Sequence, residues 1–459
     1  MIYSRQDVSE NDLSDPWLVY RPLDFHEFPT HMGRLVDLRG IESSQVLVRF
    51  ENGVTLFNAV DQLRDRLTPE NYLLGSGGIF ASRPLESNLT DLGYAGTQHK
   101  AMVSCEFGHF WVDAKRGGVF QVDPNGGNLR EITQGMRQWF KRHLPFKILR
   151  EGIDGLSYRD VDNNYRGIGI AMGWDERFRR VFLTKKDFKL RPEYKGRITF
   201  RDNCFFLDEE LEVEITNELI FERCCFTLGY SPLLKMWISY YSFHPDYYID
   251  MVNHFKTGLN YPSEGEQGGL WSHLLTNKSY QVFYGKLHPW IIELPVPEIG
   301  SPRILETIRY WMDTRRYHNE FDFAEKRRIG FNKAWVYNHS QHSGELILKH
   351  VDPNNMRQRW EYPKQISNFQ EEILVTEEDM RWVFNHLRNR VRDECNNVPI
   401  MNWDCNQILR TINPLALNYR CPLTERLRGD WLLVRFIQDE ESRYHQIFKF
   451  FDYKNRSYD

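Results

Sequence analysis

The residues best suited to chemistry are five aspartates, Asp113, Asp175, Asp202, Asp208 and Asp246. Carboxylate pairs at strand ends hydrolyse glycosidic bonds, one as general acid and the other as base or nucleophile. Trp174 and Trp271 would give a sugar a stacking surface. The surroundings of the aspartates point elsewhere, because Val112-Asp113-Ala114-Lys115-Arg116-Gly117 and Trp174-Asp175-Glu176-Arg177 read as hairpin tips whose Asp bonds its own backbone. No G-x-S-x-G elbow presents a serine nucleophile. Metal spacing is equally poor: no H-E-x-x-H occurs, His339 and His342 sit beside Ser340 and Ser343 at an expected turn, and His386, Cys395 and Cys405 are separated by about nine residues, which matches no ordinary ligand pattern. Gly75-Ser76-Gly77-Gly78 and Gly117-Gly118 lack the G-x-x-x-x-G-K-[ST] pattern of a phosphate loop and read as turns. The expectation is a protein with no catalytic, cofactor or metal site, and no enzyme.

Arginine interleaved with aromatics remains: Arg177-Phe178-Arg179-Arg180, Arg309-Tyr310-Trp311 through Arg315-Arg316-Tyr317, and the basic run Lys326-Arg327-Arg328. Each is flanked by Asp175, Asp313 or Glu325, which favours salt-bridged surface or subunit contact over nucleic acid. Arg, Tyr and Trp concentrate at protein–protein interfaces. With 59 basic against 63 acidic residues the net charge is −4, so no global positive field exists to hold a phosphate backbone.

These groups must be positioned by short strands. Apolar alternation punctuated by Gly, Asp, Asn and Pro marks hairpins at Glu106–Asn128, Ile168–Lys185 with its tip at Asp175-Glu176-Arg177, Cys225–Phe243, Leu270–Leu294 and Phe331–His350. A weaker one at Gln45–Leu56 contains Asn52-Gly53, which favours a type I′ turn. Trp431–Phe451 reads as a strand pair turning near Gln438–Ser442, which Trp17–Tyr20 or Leu35–Leu38 could complete. Helical spacing predicts two inserted helices, near 131–144 (Ile132, Met136, Trp139, Phe140) and near 376–392 (Met380, Phe384, Leu387, Val391). The fold class expected is therefore mainly β, a β-propeller-like array of antiparallel sheets forming one domain over 1–459, closed by its N- and C-terminal strands. Sandwich domains are the alternative.

The aromatic share, 14%, demands a packed interior and excludes a disordered chain. Seven cysteines, an odd number spread over more than 300 positions without C-x2-C spacing, form neither a disulfide framework nor a zinc ribbon, and imply reduced thiols and folding in a cytoplasm. No apolar leader and no apolar run long enough to span a membrane is present, so a soluble protein is expected.

Several segments together carry a resemblance: Tyr3-Ser4-Arg5, Leu74-Gly75-Ser76-Gly77-Gly78-Ile79-Phe80, Gly93-Tyr94-Ala95-Gly96-Thr97-Gln98, Phe110-Trp111-Val112-Asp113-Ala114-Lys115, and Leu228-Gly229-Tyr230-Ser231-Pro232 leading into Trp237-Ile238-Ser239-Tyr240. The chain resembles, from Tyr3 to Tyr458, the tail muzzle or stabilisation proteins of crAss-like podoviruses. The resemblance implies a structural virion protein of a bacteriophage short tail, assembled in the bacterial host cytoplasm. It would form part of the distal tail ring that stabilises the packaged particle and gates the ejection channel. Its implied partners are other copies of itself in a ring, six-fold being one option, with neighbouring tail hub, tail tube and tail fibre proteins and the transient passage of DNA or ejected proteins. Members of that family can be much longer, which makes this chain a shortened version or one piece of a split product. The competing expectation is a carbohydrate-active or glycan-binding β-propeller acting on host surface glycans.

Overall fold

In the computed structural model the described residues are 27–41, 45–58, 62–64, 71–73, 86–89, 101–124, 129–273, 280–297, 303–319, 322–325, 330–338, 341–350, 363–366, 370–378, 381–389, 398–402, 407–412, 426–440 and 444–457. They are mainly β, in many antiparallel sheets with a single α-helix among the described residues. The chain divides into two compact units, Met1–Ser263 with Gly268–His273, and Glu264–Gln267 with Leu274–Asp459.

The first unit contains three four-stranded antiparallel sheets, the size of a propeller blade. Met102–Cys105, Gly108–Asp113, Gly118–Val122 and Leu129–Glu131 form a simple meander. Gly169–Asp175 and Arg180–Lys186 pair with Phe226–Ser231 and Met236–Tyr241. Leu35–Ile41, Gln45–Phe50 and Gly53–Asn58 continue to Glu86–Leu89. Two three-stranded sheets, Ile198–Arg201 with Cys204–Leu207 and Leu211–Val213, and Tyr247–Met251 with His254–Leu259 and Gly269–Ser272, complete the larger sheets of this unit. The hairpins expected from the sequence at Gln45, Glu106, Ile168, Cys225 and Phe331 are all formed. In the first of these the loop is Glu51-Asn52, one residue ahead of the expected Asn52-Gly53.

Other expectations are corrected. Leu270–Leu294 is not one hairpin: Gly269–Ser272 pairs with His254–Leu259, whereas Val282–Phe283 turns at Tyr284-Gly285 onto Lys286–Leu287. Asn277 and Lys278 lie outside the described residues. Trp431–Gln438 and Tyr444–Ser457 do not pair with each other; the first lies between Trp290–Pro297 and Lys333–Tyr337, and the second runs along the 17-residue strand Arg303–Asn319. Leu35–Ile41 pairs with Gln45–Phe50 within the first unit. Trp17–Tyr20 lies outside the described residues. The helix near 131–144 shortens to Arg137–His143, because Leu129–Glu131 is captured by Gly118–Val122. The helix near 376–392 is replaced by two strands, Gln370–Glu378 and Arg381–Phe384. Glu371, Ile373 and Val375 are buried at every second position, and that two-residue period wins over the helical, three-residue spacing of Phe384 and Leu387.

The first unit hangs on the strand Arg180–Lys186. Consecutive residues point to opposite faces of a strand, so Lys185 and Lys186 enter the interior on opposite sides. The Lys185 ammonium donates to Asp187 Oδ2 at 2.5 Å and to the carbonyls of His143 (2.8 Å) and Pro145 (3.0 Å). The Asp187 carboxylate also accepts the N–H groups of Lys147 (2.7 Å), Phe188 (2.9 Å) and Ile148 (3.3 Å). Lys186 donates to Asp246 Oδ1 at 2.6 Å, and Asp246 Oδ2 accepts the N–H of Asn260 at 2.5 Å. All four charged groups are buried. Burial pushes the Lys185 ammonium below its ordinary pKa, against the pull of Asp187.

The second unit joins its principal strands into one eleven-stranded sheet with one parallel pair, Glu345–His350 against Gln370–Glu378. Three neighbouring strands are tied by a polar triad in which buried Arg435 donates to Glu293 Oε2 (Nε, 2.7 Å) and to Tyr337 Oη (2.9 Å), and Tyr337 donates to Glu293 Oε2 at 2.8 Å. Around Tyr310 the interior is aromatic, with Phe331 and Phe436 centroids at 5.6 and 5.0 Å. The Tyr310 hydroxyl lies 2.7 Å from His350 Nε2.

Removing one member of a buried pair leaves an uncompensated charge. Asp187→Ala is expected to cost about 3–5 kcal/mol in denaturant unfolding, whereas Arg197→Ala, which breaks the exposed pair with Asp208, leaves the midpoint unchanged. Burial pulls His350 down to about 4. Unfolding therefore takes up a proton below the ordinary value near 6.5, and stability is lost as the pH falls from there toward 4. His350→Gln should flatten this decline, measured as unfolding free energy against pH.

Candidate interaction surface

The Asp175–Arg180 hairpin shows how a charged tip is made rigid. Asp175 pairs across the turn with Arg180, leaving the four-residue loop Glu176–Arg179, with Arg179 in the left-handed region at φ 48°. Buried Asp175 accepts the Phe178 N–H at 3.4 Å and the Arg180 Nε–H at 2.7 Å. Arg180 Nη1 donates to Tyr241 Oη at 2.6 Å, and the guanidinium lies 4.8 Å from the Phe178 ring centroid and 5.1 Å from that of Phe182. Phe178 is thereby held out with 55% of its surface exposed.

Neighbouring hairpin tips gather at the same end. Val181 is in register with Tyr230, which brings the turn Pro232–Lys235 beside Glu176–Arg179. Arg179 Nε reaches Glu106 Oε1 at 3.3 Å, and Phe107 packs on Trp174 with centroids 5.8 Å apart. The Trp174 N–H donates to Asp250 Oδ1 at 2.9 Å, so the turn after Met251 joins the group. Phe178, Leu233, Leu234, Met236 and Val252 all stand exposed on these tips. A contiguous apolar patch rimmed by charge is the usual mark of an interaction site.

The aspartates singled out in the sequence are scattered and committed to structure. Asp113 is buried and accepts the Arg116 N–H at 3.2 Å and its Nη1 at 3.3 Å. Asp202 shapes a two-residue turn with Asn203, at φ 49° and 67°. Asp208 takes two bonds from Arg197, at 2.8 and 2.5 Å, and Asp246 is the partner of Lys186. Trp174 is buried against Phe107 and cannot stack on a sugar, while Trp271 is half-buried opposite Thr257.

His342 and Ser343, expected at an open hairpin tip, are buried. His342 Nδ1 accepts the Gly344 N–H at 3.0 Å, and Ser343 Oγ accepts the Val336 N–H at 2.9 Å. His386 is exposed; His339, Ser340, Cys395, Cys405 and Gly75–Gly78 lie outside the described residues. Gly117 takes φ 72° in the turn of the Gly108–Val122 hairpin, packed so closely on the backbone of Phe140 and Lys141 that no side chain fits. Of the basic clusters, Tyr310 is buried, Trp311 is partly exposed beneath the Lys449 ammonium, and Lys326-Arg327-Arg328 lies outside the described residues. No group of metal-ligating side chains is found among the described residues.

One polar chain was not anticipated from sequence. Ser104 Oγ lies 2.8 Å from His109 Nδ1, and His109 Nε2 lies 4.0 Å from Asp37 Oδ2. The cross-strand pairing of Ser104 with His109 could have been derived from the Cys105–Gly108 turn, but Asp37 belongs to another sheet. Asp37 is held by buried Arg49 at 3.1 Å and stands beyond hydrogen-bond reach of the imidazole. Burial, with Arg49 and Arg39 nearby, keeps His109 neutral. The group lacks the base–orienter bond of an activated serine.

No family model and no curated protein matches the chain. No helix among the described residues is long and apolar enough to cross a membrane.

Removing the Arg180 side chain leaves Asp175 buried without its cation and releases Phe178. Arg180→Ala is expected to lower stability by about 1–3 kcal/mol. Phe178→Ala, at an exposed tip, should leave thermal stability unaltered.

Proposed function

We propose that the protein is a non-enzymatic structural component of a bacteriophage short tail, working as a self-associating subunit near the distal end. The observation that carries this reading is the use made of its carboxylates. Asp113, Asp175, Asp187, Asp208 and Asp246 are each bonded to a cation and to backbone or turn geometry, an arrangement that builds rigid hairpins and not an acid–base pair. Blade-sized antiparallel sheets, buried ion pairs and exposed apolar hairpin tips suit a ring subunit, which needs a stiff body and large contact surfaces. The muzzle-protein likeness supplies the setting. A near-neutral net charge fits a part that nucleic acid passes without adhering.

Antibody labelling of intact particles tests the reading. Label at the distal tail is the expected result; a chain absent from purified particles, or label confined to the head, overturns it. The glycan-active alternative predicts turnover on a host-glycan panel that is lost in Asp175→Asn. The structural reading predicts no turnover by either protein.

A further inference from the structure

The first unit carries a second exposed patch, opposite in charge to the hairpin tips. The segment Asp208–Leu219 holds six carboxylates and no basic residue. Its turn is fixed by positive φ at Asp208 (52°) and Glu209 (65°) and by Arg201 Nη2, which donates to the Glu209 carbonyl at 2.7 Å. Arg197 neutralises Asp208, leaving Glu209, Glu210, Glu212, Glu214 and Glu218 exposed. Among them stand two apolar side chains, Leu211 at 62% and Leu219 at 76% exposure. The tip Glu176–Arg180 has the opposite sign: Arg180 is paired with Asp175 and Arg179 with Glu106, which leaves Arg177, with Lys235 beside it, against the single Glu176 around Phe178.

The two patches lie at opposite ends of the same strand. Gly167, just before Gly169–Asp175, packs against Ile215 of the acidic segment, whereas the basic tip begins directly after Asp175. Seven residues at about 3.4 Å each put roughly 20 Å between the two ends. A single copy therefore cannot satisfy its own complementarity across this strand. Complementary patches on different surfaces make a heterologous contact, which closes into a ring or runs on as a filament.

We propose that the acidic Asp208–Leu219 edge of one copy docks on the basic, apolar hairpin tips of the next, Phe178 and Leu233 meeting Leu211 and Leu219 while Arg177 and Lys235 face Glu210 and Glu212. The occupant of each patch is a second copy of this chain. The inference rests on the self-associating role proposed above and supplies its contact.

The test uses the full chain in three forms: wild type, a tip variant (Arg177→Glu with Phe178→Asp) and an edge variant (Leu211→Asp with Leu219→Asp), chosen so that both altered surfaces are acidic and repel each other. Circular dichroism and thermal midpoints establish that each is folded, and mass photometry with light scattering reads the assembly. Wild type should form species of three or more copies, loosened at high salt because the attraction is screened. Each variant alone should weaken assembly at least tenfold. Mixed together they should give a one-to-one dimer and nothing larger, since the pair retains one intact edge and one intact tip.

A wild-type monomer at high concentration, folded variants that assemble like wild type, or a mixture that stays monomeric would each overturn the contact. Where variants assemble normally and antibody still marks the distal tail, the contact fails and the tail role stands. Where the mixture forms the dimer but no particle contains the chain, the contact stands and the tail role fails.

Discussion

Three cations on one strand organise the first unit. Arg180, Lys185 and Lys186 are spaced so that each meets a carboxylate from a different part of the chain: Asp175 across the hairpin, Asp187 just beyond the strand, and Asp246 some sixty positions on. A buried ammonium without its partner is costly to fold, so these pairs exclude arrangements in which the segments docked on the strand have slipped. The Lys147–Ile148 turn is tied by Asp187, and the Asn260 region by Asp246. The tip is tied by Asp175 through Arg180. The exposed Phe178 is a consequence of the same strand that anchors the interior.

Committing carboxylates to structure has a functional cost and a functional use. An aspartate saturated by a lysine and backbone N–H groups is a poor general acid or base, since catalysis requires a proton that can be exchanged with a substrate. The same saturation makes hairpins stiff, and stiff tips present apolar side chains with little ordering penalty on association. The aromatic share divides accordingly: Tyr310, Phe331 and Phe436 fill the second unit, Phe182 and its neighbours fill the first, and Phe178 and Trp311 remain at the surface.

Much of this was legible in sequence because hairpins announce themselves locally. Alternation and turn residues placed Gly108–Asp113 against Gly118–Val122 and Gly169–Asp175 against Arg180–Lys186 within a residue or two. Asp113 and Asp175 were recognisable as turn caps for the same reason. What failed was non-local. The helix expected near 376–392 gives way to strands because Gln370–Glu378 pairs in parallel with Glu345–His350, a partner across a long connection. The fate of Trp431–Gln438 depended on Trp290–Pro297, far away in the chain. His342 and Ser343 are likewise buried in a turn whose polar sequence suggests exposure, and the His342 N–H reaches Asn389 Oδ1, 47 positions on, at 3.4 Å. The candidate surface was half visible: the Arg-Phe-Arg-Arg run stood out, but its neighbours at Leu233 and Val252 join it only through strand register.

The most direct measurement is a density map of the assembled oligomer, at a resolution that distinguishes strands, from particles or from purified protein. The account predicts that the Glu176–Arg180 and Pro232–Lys235 tips of each copy abut the Asp208–Leu219 edge of the next around a common axis. Tips that face solvent, or that meet the same tips of a second copy about a two-fold axis, would contradict it.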